Sequence, residues 1–416
     1  MRIGRDPARP QAAVIGGSLG GLFAALLLRR AGWQVRVFER IGEELSGRGA
    51  GIVTHDDLFA VLRHAGINVV PADLGVPVPG RRVFDRSGRV AGELRLGQVL
   101  TSWGRLYALL RSSLPAEDYR GGVTLRRVEE HPDHVVAECD DGSRFEADLL
   151  VGADGLFSTV RRQFLPEIEP RYVGYIAWRG LVDEADLSED TRRTLCDWFA
   201  FSLPDGEQML GYPVAGGDEA MATGRRRFNF VWYRPAARGE ALRELLTDVR
   251  GEQHPLSIPP NRIRPEVISQ MRHDAERLLA PQFAEVVRRT KQPFLQAIVD
   301  LEASRMALGQ HRRVAILGDA AFVARPHVGM GVTKAAGDAA ALTQAIEEDP
   351  SDLPAALDAF EQQRLPYGRA VIRRARELGA YMQSQLLTDR DRELAELHRS
   401  PEAVMAETAV SAGIAA

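Results

Sequence analysis

Near the N-terminus, the stretch "VIGGSLGG" runs from Val14 to Gly21. Its Gly16, Ser18 and Gly21 stand where a dinucleotide-binding loop carries three glycines, with serine in the second place. In such a loop the first position makes the turn after a strand. The second lets backbone approach a pyrophosphate, and the third lets helix and strand pack closely. Serine is the smallest residue that adds a donor, so Ser18 can reach a phosphate oxygen without blocking its approach. The helix that follows this loop, in which Leu19 is also a candidate cofactor contact, offers free N–H groups and a dipole that favour an anion. Glu39 lies 23 residues after Gly16, where a carboxylate takes a ribose 2′-hydroxyl and repels a 2′-phosphate. Taken alone, this loop does not distinguish FAD from NAD.

The elements needed to hold these residues are legible nearby. Ala12 to Ile15 read as a short buried strand, and apolar residues from Gly20 to Ala31 recur at helical spacing before Gly32. "QVRVFE" follows as a second strand ending on Glu39, so strand, helix and strand form a βαβ unit and predict a doubly wound parallel sheet. A helix is expected from about Asp56 to Ala65, and another in "LTSWGRLYALLRSSL". "RRVFDRSGRVAGELRL" predicts a hairpin turning at Ser87-Gly88, and Asp141-Gly142 marks a second hairpin. From Tyr172 to Ile298, aromatic alternating segments predict an antiparallel sheet, with a helical stretch around Gln270 to Lys291. The doubly wound pattern then returns in "RRVAILGDAAF" and a helix of small residues. The fold class is therefore α/β: a Rossmann-like first domain built from 1–79, 96–171 and 299–385. A mostly antiparallel β-sheet substrate domain comprises the 80–95 hairpin and 172–298. A C-terminal helix and tail occupy 386–416, with roughly the last fifteen residues frayed.

Two further stretches complete a set: "LLVGADGLFSTVRRQF", carrying Asp154-Gly155, and "VAILGDAAFVARPHVGMGVTKAAGDAAAL", carrying Gly318-Asp319. In this order the three stretches closely resemble the class A flavin-dependent aromatic hydroxylases, the para-hydroxybenzoate hydroxylase-like monooxygenases, from about Ala12 to Ala380. The resemblance implies bound FAD, with NADH or NADPH and O₂ as co-substrates. It implies that Asp319 binds the ribityl hydroxyls, that Asp154 serves both FAD and the pyridine nucleotide, and that Glu39 holds the adenosine ribose beside Arg40. Arg48 would lie near the flavin's phosphate or ribityl chain, and the Leu125 backbone would touch adenine. Backbone N–H groups of Gly329, Met330 and Gly331, with Val332 behind them, would face the flavin edge that becomes negative on reduction. Two positions depart from the family: Thr333 replaces an asparagine, and Trp103 replaces an arginine whose phosphate Arg105 would reach instead.

The family's chemistry is hydroxylation of an electron-rich ring through a C4a-hydroperoxyflavin, in a site that excludes water. Pro326 would lie near the reacting edge, and His327 would serve as base, hydrogen-bond partner or loop-structuring residue. Arg179, Tyr212, Tyr233 and His254 are polar groups among apolar neighbours, and each is a candidate to orient or deprotonate substrate or to serve structure alone. "VIGGSLGGL", "GRGAGIVT" and "SIPP" look most like the 2,6-dihydroxypyridine 3-monooxygenase group, implying a hydroxylated N-heteroaromatic or phenolic substrate. A flavin epoxidase or halogenase on the same scaffold, and a flavin-free NAD dehydrogenase, are the alternatives. The second leaves Asp319 and Gly329 to Gly331 without a role.

Composition narrows the rest. A net charge of −4 gives no general attraction for nucleic acid or anionic lipid. Cys139 and Cys196 have no disulfide or zinc spacing, so no metal is expected and a reducing cytoplasm fits. The N-terminus lacks the apolar core of a signal peptide, and no apolar run is long enough to span a membrane. The expected partner is a small aromatic molecule, and a homodimer is compatible.

Overall fold

The computed structural model describes residues 2–3, 9–43, 45, 51–217, 219–386, 388–411 and 414. Ala12 to Val14 and Leu149 to Val151 are wholly buried, as runs covered on both sheet faces must be. They belong to a six-stranded sheet ordered Ala307–Leu308, Val314–Ile316, Leu149–Gly152, Gln11–Ile15, Gln34–Glu39, Tyr119–Gly121. All its pairings are parallel except that between Ala307–Leu308 and Val314–Ile316. Register matters here, because Gly152 pairs with both Ile15 and Ile316. Three strands therefore end level, and the segments beginning at Gly16, Ala153 and Leu317 leave the sheet side by side. The crevice outside these carboxyl ends is where open α/β sheets bind ligands.

The Leu19–Arg30 helix starts after a turn that demands small residues. Gly16 has φ +105°, and a Cβ there would stand 2.3 Å from the Ala153 carbonyl oxygen. A Cβ on Gly21 would stand 1.8 Å from the Gly16 carbonyl oxygen, so helix and turn touch backbone to backbone. The Gly331–Glu348 helix buries Ala335, Ala336, Ala339 and Ala341 and packs beside the first helix.

A nine-stranded sheet forms the second layer. Its path runs Ser257–Ile258, Phe294–Glu302, Arg171–Asp183, Arg227–Pro235, Gln208–Val214, Phe199–Ser202, Arg81–Phe84, Val90–Leu94, and Phe322–Val323 adds to Phe294–Glu302. Alternation gives it two apolar faces. One, with Ile176, Trp178, Phe228, Phe230 and Trp232, packs under two helices. These helices, Pro265–Leu278 and Pro281–Arg289, replace the single expected stretch, because extended residues Leu279 and Ala280 precede Pro281. A proline disfavours helix in the residue before it and restarts one at its own position. The other face carries Tyr175, Ala177, Phe199, Phe201, Leu210, Tyr212, Val231 and Tyr233.

The tail corrects the expectation of fraying. Pro401–Glu407 is a helix, and Val404, Met405 and Ala409 are buried against that second face. Arg81 donates to the Met405 carbonyl at 2.6 Å, Gln98 to the Ala409 carbonyl at 3.0 Å, and the Ala409 N–H to the His327 carbonyl at 2.7 Å. Composition alone hides this, because the segment gains order only from the groove that receives it. Among the described residues, no helix is long and apolar enough to cross a membrane. Ending the chain after Ser400 removes two large buried side chains and should lower stability by about 2–4 kcal/mol. A urea titration of the truncated protein that matches the full chain would show that the segment adds nothing.

Candidate active site

At the level strand ends lies a cleft of about 640 Å³. Gly16, Ser18, Leu19, Glu39, Arg40, Leu125, Asp154, Gly155, Asp319, Gly331 and Val332 all line it. The Ser18 hydroxyl caps no backbone group, so it is available to a ligand. Glu39 accepts from the Gly17 N–H at 2.8 Å and the Ile41 N–H at 3.0 Å, fixing its carboxylate at the second strand's end. Asp319 reaches into the cleft, open on that side and enclosed by protein elsewhere. Enclosure pushes its carboxyl above the usual range, and Lys334 opposes this. Asp154 is committed inward: it accepts from the Ser158 hydroxyl at 2.5 Å and the Thr159 N–H at 2.6 Å, tying the loop to the following helix.

Several candidates stand elsewhere. Arg105 donates to the Asp73 carbonyl and pairs with Glu219, while Trp103 lines the cleft in its stead. Gly21 contributes packing rather than lining. Gly329 takes a left-handed turn, φ +64°, and its N–H is spent on the Pro326 carbonyl at 2.9 Å. The first N–H groups of the Gly331–Glu348 helix have no intrahelical acceptor and remain open at the helix entry. Met330 is buried beneath them. Arg48 lies outside the described residues.

One feature of the cleft escapes a sequence reading of motifs. Lys334 is buried and donates to the Gly318 carbonyl at 2.9 Å and to Asp338 at 3.2 Å. Asp338 also accepts from the Gly318 N–H at 3.1 Å and from Arg364 at 2.8 Å. This network clamps both polar groups of Gly318 and so aims Asp319. The signal was a lysine and an aspartate four apart in the small-residue first half of the helix, a spacing that places them on one face. Arg161 adds a second tie, donating to the Ala320 carbonyl at 3.0 Å and the Leu156 carbonyl at 2.6 Å.

A second constellation gathers on the aromatic face of the large sheet, where the 3₁₀ turn Pro326–Val328 meets it. His327 is buried, with Nε2 2.8 Å from the Tyr175 hydroxyl and Nδ1 3.1 Å from the Gln208 amide oxygen. With that oxygen facing it, Nδ1 carries the proton and donates, while Nε2 accepts from Tyr175. Burial, helped by Arg325 and Arg179, pulls the imidazole down to about 3, so it is neutral at working pH. The Tyr233 ring meets His327 edge-on at 4.3 Å, and burial pushes its hydroxyl up to about 12. Tyr212 is likewise raised by burial. Register puts Arg179 between them: Ala177 pairs with Tyr233, Arg179 with Val231, and Tyr212 with Asn229. His254 is not part of this group. It binds Asp248 at 3.0 Å, and Arg262 pairs with the same acid.

Comparison with known proteins agrees with this geometry. A sequence profile described as an FAD binding domain matches residues 9–209, and one described as FAD binding domain-like matches residues 172–300. The 2,6-dihydroxypyridine 3-monooxygenase of Paenarthrobacter nicotinovorans is 33% identical over 91% of this chain and 93% of its own. The chain belongs to the class A flavin monooxygenases. It is accordingly an FAD-dependent oxidoreductase that incorporates one oxygen atom. A solved 2,6-dihydroxypyridine-3-hydroxylase from Arthrobacter nicotinovorans superposes with TM-score 0.83 at 33% identity, covering 91% of this chain and 94% of that one. A singly substituted HpxO of Klebsiella pneumoniae, complexed with FAD, gives TM-score 0.76 at 25% identity over 96% and 95% of the two chains. The cleft fits that cofactor on its own terms: a backbone cradle that admits no Cβ, a free Ser18 hydroxyl and two carboxylates, Glu39 and Asp319, for sugar and ribityl hydroxyls.

Asp319→Ala should purify largely without FAD; a full flavin spectrum in that variant would remove the residue from cofactor binding. Asp338→Ala leaves Lys334 buried without its counter-ion and should cost about 3–5 kcal/mol, with weakened FAD retention. Unchanged melting and flavin content would show that the clamp is dispensable.

Proposed function

We propose that this monooxygenase hydroxylates a small hydroxylated aromatic ring, of the pyridine type, using NADH or NADPH and O₂, in the cytoplasm. The observation that carries the reading is the aromatic cluster at Pro326–His327, whose polar groups include tyrosines, an arginine and a neutral imidazole. It adjoins the loop that leads from Asp319 into the Gly331–Glu348 helix. The similarity to an enzyme named for 2,6-dihydroxypyridine favours a hydroxylated N-heteroaromatic. Two buried, unpaired cysteines and the lack of a spanning helix among the described residues favour the cytoplasm.

Bound FAD supplies the redox chemistry: electrons from the nicotinamide and activation of O₂. The chain's residues do the rest. Glu39, Ser18 and Asp319 bind the cofactor, and helix-entry N–H groups stabilise negative charge at its edge. Tyr212 and Tyr233, with hydroxyls raised by burial, stay protonated and orient the ring as hydrogen-bond donors. Val404, Met405 and Ala409 help close the chamber to water, which protects the oxygenating step from wasteful decay. As the ring is oxygenated, a proton leaves it. The Tyr175 hydroxyl takes that proton as it passes its own to His327 Nε2, and His327 returns it by the same hydroxyl when the product leaves. The low affinity of His327 for protons makes it a relay, not a resting base.

Purified holoenzyme should oxidise NADH or NADPH faster when 2,6-dihydroxypyridine or a related hydroxypyridine is added, with O₂ uptake and a hydroxylated product. If no hydroxylated ring across pyridines, nicotinates and phenols gives product, the reading fails. His327→Ala should keep its FAD yet yield much less product and more hydrogen peroxide per nicotinamide oxidised; unchanged coupling would take His327 out of the chemistry.

A further inference from the structure

Arg179 projects from the aromatic face without a partner. Among the described residues no carboxylate, carbonyl or amide binds its guanidinium, and its Nε is buried without a hydrogen bond. Other buried arginines of the chain are matched: Arg325 with Asp300, Arg226 with Glu184, Arg81 with the Met405 carbonyl and Gln98. An unmatched, half-buried cation is costly, and such groups persist where a ligand completes them.

Its surroundings sharpen the point. The register sets Arg179 one row from Tyr233 and one row, on the other side, from Tyr212 and Asn229. Its charge is felt at Tyr212, Tyr233 and His327 alike, which places it among all three. Asn229 accepts from the Gly51 N–H at 3.0 Å through its oxygen, while its Nδ2 is buried without an acceptor. The Tyr381 hydroxyl, which feels Tyr233, is also buried without a partner. Two buried acids of the same sheet region are turned elsewhere: Asp300 binds Arg325 and Arg376, and Glu207 binds Trp232 and Arg234. Unsatisfied donors and one uncompensated positive charge thus gather on one face with no acceptor bound to them among the described residues.

We propose that Arg179 is the counter-ion that makes this enzyme select its aromatic substrate as an anion, pairing with a negatively charged oxygen on the ring. The proposal rests on the hydroxylase reading above and adds the charge state of the substrate and the residue that reads it. Asn229 Nδ2 and the Tyr212 hydroxyl share the same oxygen or its neighbour. The charge can sit on a ring carboxylate or on an ionised ring hydroxyl, and both present the same chemistry to a guanidinium.

Binding to oxidised holoenzyme, followed by perturbation of the flavin spectrum at fixed pH without nicotinamide, tests this directly. One arm compares 6-hydroxynicotinate with its uncharged amide; the other compares 2,6-dihydroxypyridine, whose hydroxyl ionises readily, with neutral 2-hydroxypyridine. The wild type should prefer the anion in at least one arm, and that arm identifies the source of the charge. Arg179→Gln should weaken the preferred anion by about tenfold or more, and the neutral partner by less than about threefold. Arg179→Lys should recover part of the preference, and both variants should keep the wild-type flavin spectrum, which reports an intact cofactor site. Equal binding of charged and neutral partners in both arms, or an anion preference that survives Arg179→Gln, overturns the proposal. If hydroxylated product still forms in that case, the hydroxylase reading stands without it. If no ring binds or turns over, both fall together.

Discussion

The Gly16 carbonyl oxygen lies where a side chain on residue 21 would begin, and the Ala153 carbonyl lies where one on Gly16 would begin. This double close approach sets the depth of the cleft. It lets the first helix start against the strand ends instead of a side chain's width away, so its N–H groups open into the space left by the level strands. The parallel register through Gly152 then brings Asp154 and Asp319 to the same rim. A larger residue at either glycine would push helix or loop outward, and the cradle would lose its depth before any ligand-binding group changed.

Around that contact the polar groups divide into those already satisfied and those held open. Asp154 and Asp338 are spent on protein donors, and they hold the loops still. Ser18 and Asp319 are left facing the cleft. The division is physically sensible, because a ligand-binding carboxylate is precise only if the backbone beneath it is fixed by groups that do not also bind ligand. Lys334 illustrates the cost: a buried ammonium is tolerated because it bonds both a carboxylate and the Gly318 carbonyl it serves to position.

The chamber on the large sheet follows the opposite logic. Burial keeps its tyrosines protonated and its imidazole neutral, and Arg179 stands beside them as a cation without a protein partner among the described residues. The aromatic side chains and the C-terminal segment pack together on this face. Tyr175 and Gln208 hold the two ring nitrogens of His327 and so fix its proton position.

The cofactor site was largely legible in the chain, because its requirements are local. A tight turn needs Gly16, a close helix needs Gly21, and a sugar hydroxyl needs an acid at a strand end, so residue type and spacing encode them within a few tens of positions. Even Arg105 could be misplaced only by the length of its side chain, which reaches Glu219 as easily as a phosphate. The chamber was not legible in the same way. Tyr175, Gln208, Tyr212, Tyr233 and His327 come from three strands and a distant turn, and only β-sheet register decides which of them share a face. His254 was a candidate in the sequence alongside His327, yet it is spent on Asp248. The tail looked frayed because its few apolar residues have no periodic partner in the chain; they acquire one only where the folded sheet offers a groove. Sequence determined what needs a backbone shape, and tertiary structure alone decided which side chains meet, because contact across strands depends on register and not on distance along the chain.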